Sequence, residues 1–194
     1  MLISTKMKVK ISEKTEIPEG IEAEITKNKI KLKKSGKELS KNYSGFSIKK
    51  ENKELVLECQ KATKREKKVM MTALAHIKNM VRGLERGFTY KLQICNLHFP
   101  MSVSVDKNKE IVIIKNFLGE VKERTAKILR GAEVEVGGEI ISIKSYDKEL
   151  AGQTAANIEK ATRIRNRDRT RFQDGIFIIE KPKEEKAKGE ESKE

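Results

Sequence analysis

Apolar residues along this chain recur with two different periods, and the switch between them marks out its elements. From Pro18, Ile21, Ala23 and Ile25 alternate with polar residues; Lys27-Asn28-Lys29 turns the chain, and Ile30 and Leu32 resume the alternation. This pattern predicts a β-hairpin. A segment through Leu39 and Tyr43 follows. In a second hairpin Phe46 and Ile48 lead through Glu51-Asn52-Lys53 to Leu55-Val56-Leu57. From about Lys64 the period lengthens: Val69, Ala73, Ile77, Val81 and Leu84 step by three or four, as one face of a helix does, and Gly83 and Gly87 close it. Phe88, Tyr90, Leu92 and Ile94 then alternate as a strand.

The same order returns. Met101, Val103 and Val105 lead to a turn at residues 106–109 and on to Ile111–Ile114, followed by a crossing segment through Phe117, Leu118 and Ile128. Val134 and Val136 face Ile140, Ile141 and Ile143 across Gly137-Gly138, the strongest hairpin signal in the chain. A second helical pattern runs from Asp147, a suitable N-cap, through Leu150, Thr154, Ala155, Ile158 and Ala161, and Gly175 opens a last strand, Ile176–Ile179. Order and spacing thus predict an internal duplication: an α+β fold of two similar tandem units, each a small, mostly antiparallel sheet covered by one helix. The expected divisions are an N-terminal arm or edge strand at 1–16, a first unit at 17–94, a second at 95–181, and a disordered charged tail at 182–194, which has no large apolar residue to offset its ordering entropy.

Composition narrows the function. The chain has 194 residues, 37% of them apolar, and no apolar run approaches the ~18 residues of a membrane span. Lysines spaced through Met1–Lys14 leave no room for the apolar stretch of a secretory signal. Cys59 and Cys95 are too few for a disulfide framework. A soluble, cytoplasmic protein with anionic partners is expected. The net charge of +14 is unevenly placed, because residues 1–90 alone carry 22 basic and 11 acidic side chains. That basicity is mostly lysine. Five of the ten arginines instead occupy alternate positions between Arg163 and Arg171. Guanidinium is a planar fork that grips phosphate bidentately, so such a comb points to nucleic acid held at a fixed geometry.

Catalysis finds little support. His76 and His98 lie apart in sequence, and no cysteine or histidine pair has metal-ligand spacing, so neither a metal nor a cofactor is expected. Lys34-Ser-Gly-Lys37 lacks the glycine and the length of a phosphate-binding loop. An RNA-cleaving or RNA-modifying enzyme would need His98, Asp168 and Asp174 to converge, whereas Asp174-Gly175 reads more simply as a turn. Met70, Met71 and Met80 read as core filling, His76 as a locally satisfied histidine and His98 as a half-buried residue beside a strand.

Several strings carry a likeness to a known family: Ile17-Pro-Glu-Gly-Ile21, Met80-Val-Arg-Gly-Leu-Glu-Arg-Gly-Phe-Thr-Tyr-Lys-Leu92, His98-Phe-Pro-Met-Ser-Val103, Asn116-Phe-Leu-Gly-Glu120, Gly152-Gln-Thr-Ala-Ala-Asn-Ile-Glu159 and Asp168-Arg-Thr-Arg-Phe-Gln-Asp-Gly-Ile176. Over about residues 7–181 the chain resembles the sixth protein of the large ribosomal subunit in its archaeal and eukaryotic form. The resemblance implies two similar α+β units and a structural, non-catalytic role. It implies binding to large-subunit ribosomal RNA near the sarcin–ricin loop, with neighbouring large-subunit proteins as partners, translational GTPases passing close by, and no membrane. The second unit would make the main RNA contacts, through Lys160, Arg163, Arg165, Arg167, Arg169 and Arg171, with Asn166 and Gln173 as polar helpers. The rival expectation is a non-ribosomal RNA-binding regulator or processing factor.

Overall fold

A computed structural model describes residues 9–26, 29–51, 54–168 and 170–182. Its contacts divide the chain into two units at Gly87/Phe88, with the short stretch Tyr146–Lys148 grouped with the first. The N-terminal segment 1–8, the tail from residue 183, and the turn residues 27, 28, 52 and 53 lie outside the described residues.

In the first unit, β1 (Val9–Glu16), β5 (Ser47–Glu51) and β6 (Glu54–Ala62) form an antiparallel sheet in the order β1-β6-β5. The strands β2 (Glu22–Thr26), β3 (Lys29–Lys34) and β4 (Lys37–Asn42) form a second sheet in sequence order. Alternation decides which way each side chain faces. On β3, Ile30 and Leu32 are fully buried while Lys29, Lys31 and Lys33, which alternate with them, reach outward. Their neighbours carry matching carboxylates: Lys33 Nζ is 3.0 Å from Glu24 and Lys31 Nζ 2.9 Å from Glu38. Lys49–Glu58 and Lys14–Glu54 repeat the device in the other sheet, both at 3.1 Å.

The helix α1 (Lys64–Arg86) covers this core with Met70, Ala73, Leu74, Ile77, Met80, Val81 and Leu84. It starts where Thr63 and Glu66 form a reciprocal cap, with the Thr63 N–H donating to Glu66 at 2.8 Å and Arg65 N–H donating to Thr63 Oγ1 at 3.3 Å. Gly87 ends it at φ 72°, its N–H donating to the Gly83 carbonyl at 2.9 Å. The buried stripe is rotated slightly from the one expected: Val69 and Met71 are both exposed, and only Met70 and Met80 of the three methionines fill the core. Positions 69 and 71 flank Met70 by 100° on either side, which carries them off the buried stripe.

In the second unit, β8 (Ser102–Asp106), β9 (Ile111–Lys115) and β10 (Arg124–Lys127) form one antiparallel sheet. A four-stranded sheet has the order β11-β12-β7-β13, from β11 (Ala132–Gly137), β12 (Ile140–Ser145), β7 (Phe88–Cys95) and β13 (Gly175–Glu180). The expected boundary at 94/95 is therefore displaced. β7, expected to finish the first unit, is an interior strand of the second, pairing with β12 on one side and β13 on the other. Its inward residues Tyr90, Leu92 and Ile94 belong to the second core, with Val112, Ile114, Phe117, Ile141, Ile143 and Ile176.

The helix α2 (Lys148–Ala161) buries small side chains, Ala151, Thr154 and Ala155, together with Ile158, and so lies close upon its core. At Gly152 a Cβ would come within 3.0 Å of the Tyr90 hydroxyl, so the missing side chain serves packing against β7. Among the described residues no helix is long and apolar enough to cross a membrane, and no cluster of residues is arranged to hold a metal ion.

Candidate nucleic-acid interface

α2 and β13 are joined by residues 162–174, the stretch that holds the arginine comb. Three buried or half-buried groups pin it. Thr162, 3% exposed, donates from Oγ1 to the Glu159 carbonyl at 3.2 Å and accepts from the Ile176 N–H at 2.9 Å, tying the end of α2 to the start of β13. Ile164 and Phe172 pack against the second core. Between them the chain reverses: Asn166 is left-handed at φ 55°, Asp168 Oδ1 accepts from Thr170 N–H at 2.9 Å and from its hydroxyl at 2.8 Å, and the Phe172 N–H donates to the Asp168 carbonyl at 3.0 Å. Those bonds from Thr170 hold the Asp168 carboxyl below its ordinary pKa.

Asp174 closes the loop. It is 3% exposed; Oδ1 accepts the His98 N–H at 2.9 Å, and Oδ2 lies 2.6 Å from His98 Nδ1. Burial raises its pKa, but the bonds from the His98 backbone and ring and from the Leu97 backbone outweigh it, and the carboxyl titrates below its usual range. The His98 ring also lies 5.1 Å from that of Phe172. Two of the three groups an enzyme would require are thus in contact, but the contact anchors a loop, and Asp168 spends its carboxylate on Thr170.

With the backbone fixed, the basic side chains face solvent. Lys160, Arg163, Arg165, Asn166, Arg167, Arg171 and Gln173 are all exposed, whereas Arg169 lies outside the described residues. Among the described residues none of Arg163, Arg165, Arg167 and Arg171 forms an ion pair. The Arg167 guanidinium sits 5.0 Å from the centre of the Phe172 ring, a contact that leaves its N–H donors available.

One supporting residue escaped the sequence reading. Arg124 forks onto Glu120 at 2.6 and 2.7 Å and donates from the same guanidinium to the carbonyls of Ala161, at 2.8 Å, and Arg163, at 3.3 Å. It also stacks 4.3 Å above Phe117. The Arg124 hydrogen bonds hold the Glu120 carboxyl low, and the charge of Arg167 adds to the effect. Arg124 therefore braces the start of the comb. No local pattern marked it, since Glu120 and Arg124 share no helix and the carbonyls it holds lie 37 and 39 positions along the chain. Gly175 has a local role as well: a Cβ there would meet the Phe177 ring at 3.0 Å, so its bareness serves an internal contact.

Exposed guanidinium groups on a braced base, without an ion pair among the described residues, can form bidentate bonds to phosphate oxygens. Comparison with known proteins finds relatives over most of the chain. The family model described as Ribosomal protein L6 matches residues 99–175, which span the comb. The chain is 43% identical over 173 residues to the large ribosomal subunit protein uL6 of Methanococcus vannielii, covering 88% of this chain and 94% of that protein. It is 41% identical to the uL6 proteins of Desulfurococcus amylolyticus and Staphylothermus marinus, covering 88% and 90% of this chain and 95% and 97% of theirs. Similarity of this extent, running through both units and over nearly the whole of each relative, places the chain in the uL6 family of large ribosomal subunit proteins.

Proposed function

We propose that the chain is a structural component of the large ribosomal subunit that clamps double-helical ribosomal RNA through the comb, near the sarcin–ricin loop and the region where translational GTPases dock. The carrying observation is the set of exposed guanidinium groups on a loop held from beneath by Thr162, Phe172, Asp174 and Arg124. A helix of RNA offers phosphates, 2′-hydroxyls and shape more than base edges, which suits arginine forks in a chain with 5% aromatic residues. Lys160, Asn166 and Gln173 flank the forks as further donors, and Arg169 completes the alternation in sequence.

Filter binding to large-subunit ribosomal RNA tests this reading. Replacing Arg165, Arg167 and Arg169 together with Ala is expected to weaken binding about 100-fold at moderate salt and to flatten its salt dependence by two to three phosphate contacts, with the melting temperature unchanged. Replacing three exposed lysines of the first unit, Lys64, Lys67 and Lys68, is expected to cost about ten-fold less. Equal losses would mean that diffuse charge does the binding and would overturn the comb. Footprinting of the complex reads the location: protection centred away from the sarcin–ricin loop and its flanking helices would overturn that part. Retention on large subunits through a high-salt spin distinguishes a resident component from a free regulator.

A further inference from the structure

A cavity of about 550 Å³ opens beside the comb, between the end of α2 and the start of β13. Ile164 and Phe172 form an apolar floor packed on the second core. Phe177, 37% exposed, lends its ring to one wall. Lys160 and Arg163, both exposed, stand at the rim. Glu159 also lines the space; it is half-buried, and among the described residues its carboxylate has neither an ion pair nor a hydrogen bond. A carboxylate without a partner beside two cations and an aromatic wall is left unexplained by the packing of this unit.

From this juxtaposition we propose that the cavity takes one unstacked guanosine of the bound RNA, its base against Phe177, its phosphate on Lys160 and Arg163, and its Watson–Crick edge on Glu159. The proposal rests on the RNA-binding reading above and adds a base-specific contact to it. The choice of base follows from donor count. An ionised carboxylate only accepts, through two oxygens side by side. Guanine alone presents two adjacent donors on that edge, N1–H and the N2 amino group, whereas adenine, cytosine and uracil each set an acceptor beside a single donor. The exposed ring supplies the stacking surface that an extruded base needs, and the two cations supply the anionic half of the site.

The test uses the full chain and full-length large-subunit ribosomal RNA transcribed in vitro. Glu159→Gln adds one positive charge to the net balance, so diffuse electrostatics would tighten binding. The guanine contact requires the opposite: about ten-fold weaker binding, and a single guanine, protected from kethoxal (which attacks N1 and N2) in the unaltered complex, becoming reactive. Phe177→Ala is expected to expose the same guanine and to weaken binding about ten-fold. Tighter or equal binding by Glu159→Gln with no change at any guanine overturns the guanosine site while leaving the comb intact. Failure of the unaltered chain to bind the RNA overturns the RNA-binding reading itself, and the guanosine site with it.

Discussion

In the second unit the strand that follows the helix, β13, returns to lie beside β7, the unit's first strand; in the first unit the strand that follows the helix is β7 itself, and it departs into the neighbouring sheet. Between α2 and β13 the chain spends residues 162–174, whereas α1 passes to β7 through Gly87 alone. The extra residues are the comb and its braces. Their electrostatics differ in the same sense. Lysines of the first unit face glutamates across neighbouring strands, as Lys115 and Lys144 do in the second, while Arg163, Arg165, Arg167 and Arg171 of the comb form no ion pair among the described residues. Solvent-facing cross-strand pairs of this kind contribute little to stability, but they cancel much of the local field. Two similar units thus differ in one place, where the second carries a basic loop and the first has a direct connection.

Cutting the chain probes this difference most severely. A fragment of residues 88–182 retains β7 and is expected to unfold cooperatively, whereas one of residues 95–182 loses the strand that pairs both β12 and β13 and is expected to show no cooperative transition in calorimetry. Two fragments that melt alike would dissolve the distinction between the units.

The buried latch sharpens the comparison at smaller scale. Because the folded pKa of Asp174 is depressed, its stabilising contribution is complete above the ordinary carboxylate value and disappears as the pH falls through the lower, folded value. Replacing Asp174 with Ala is expected to cost the second unit about 1–3 kcal/mol near neutrality, and to make its melting temperature less sensitive to pH below about 4. An unchanged acid limb would assign that sensitivity to other carboxyls. The smallest effect is expected at the start of α1: Thr63→Ala removes the reciprocal cap and should lower the stability of the first unit by about 1 kcal/mol, read from its thermal transition, without altering RNA affinity.

Elements were legible where side chains must alternate or step within one segment. The chain turns between β11 and β12 at Gly138-Glu139, one residue along from the Gly137-Gly138 pair that the flanking pattern indicated, and Gly87 caps α1 where the helical period ended. Partner choice was less visible. The alternation of Phe88–Ile94 announces a strand but carries no mark of which sheet will receive it, since burial on either would demand the same residues. β4 was read only as a segment and β10 as part of a crossing segment because little of either is buried, Ala126 being the one buried residue of β10. In the interface, the outward arginines were legible from composition. The latch between His98 and Asp174 and the brace of Arg124 on the Ala161 carbonyl were not, because both join residues far apart along the chain.

The Thr162–Ile176 and His98–Asp174 bonds also impose a schedule on biosynthesis. The strands β1–β6 and α1 of the first unit are made before any of the second, and the platform beneath the arginines is finished only when β13 has emerged and settled next to β7. A nascent or truncated chain that ends between Arg171 and Gly175 carries every guanidinium but lacks the Ile176 bond and the β13 pairing that anchor the loop. On the RNA-binding reading proposed above, the arginines are aimed only in a chain synthesised through its last strand.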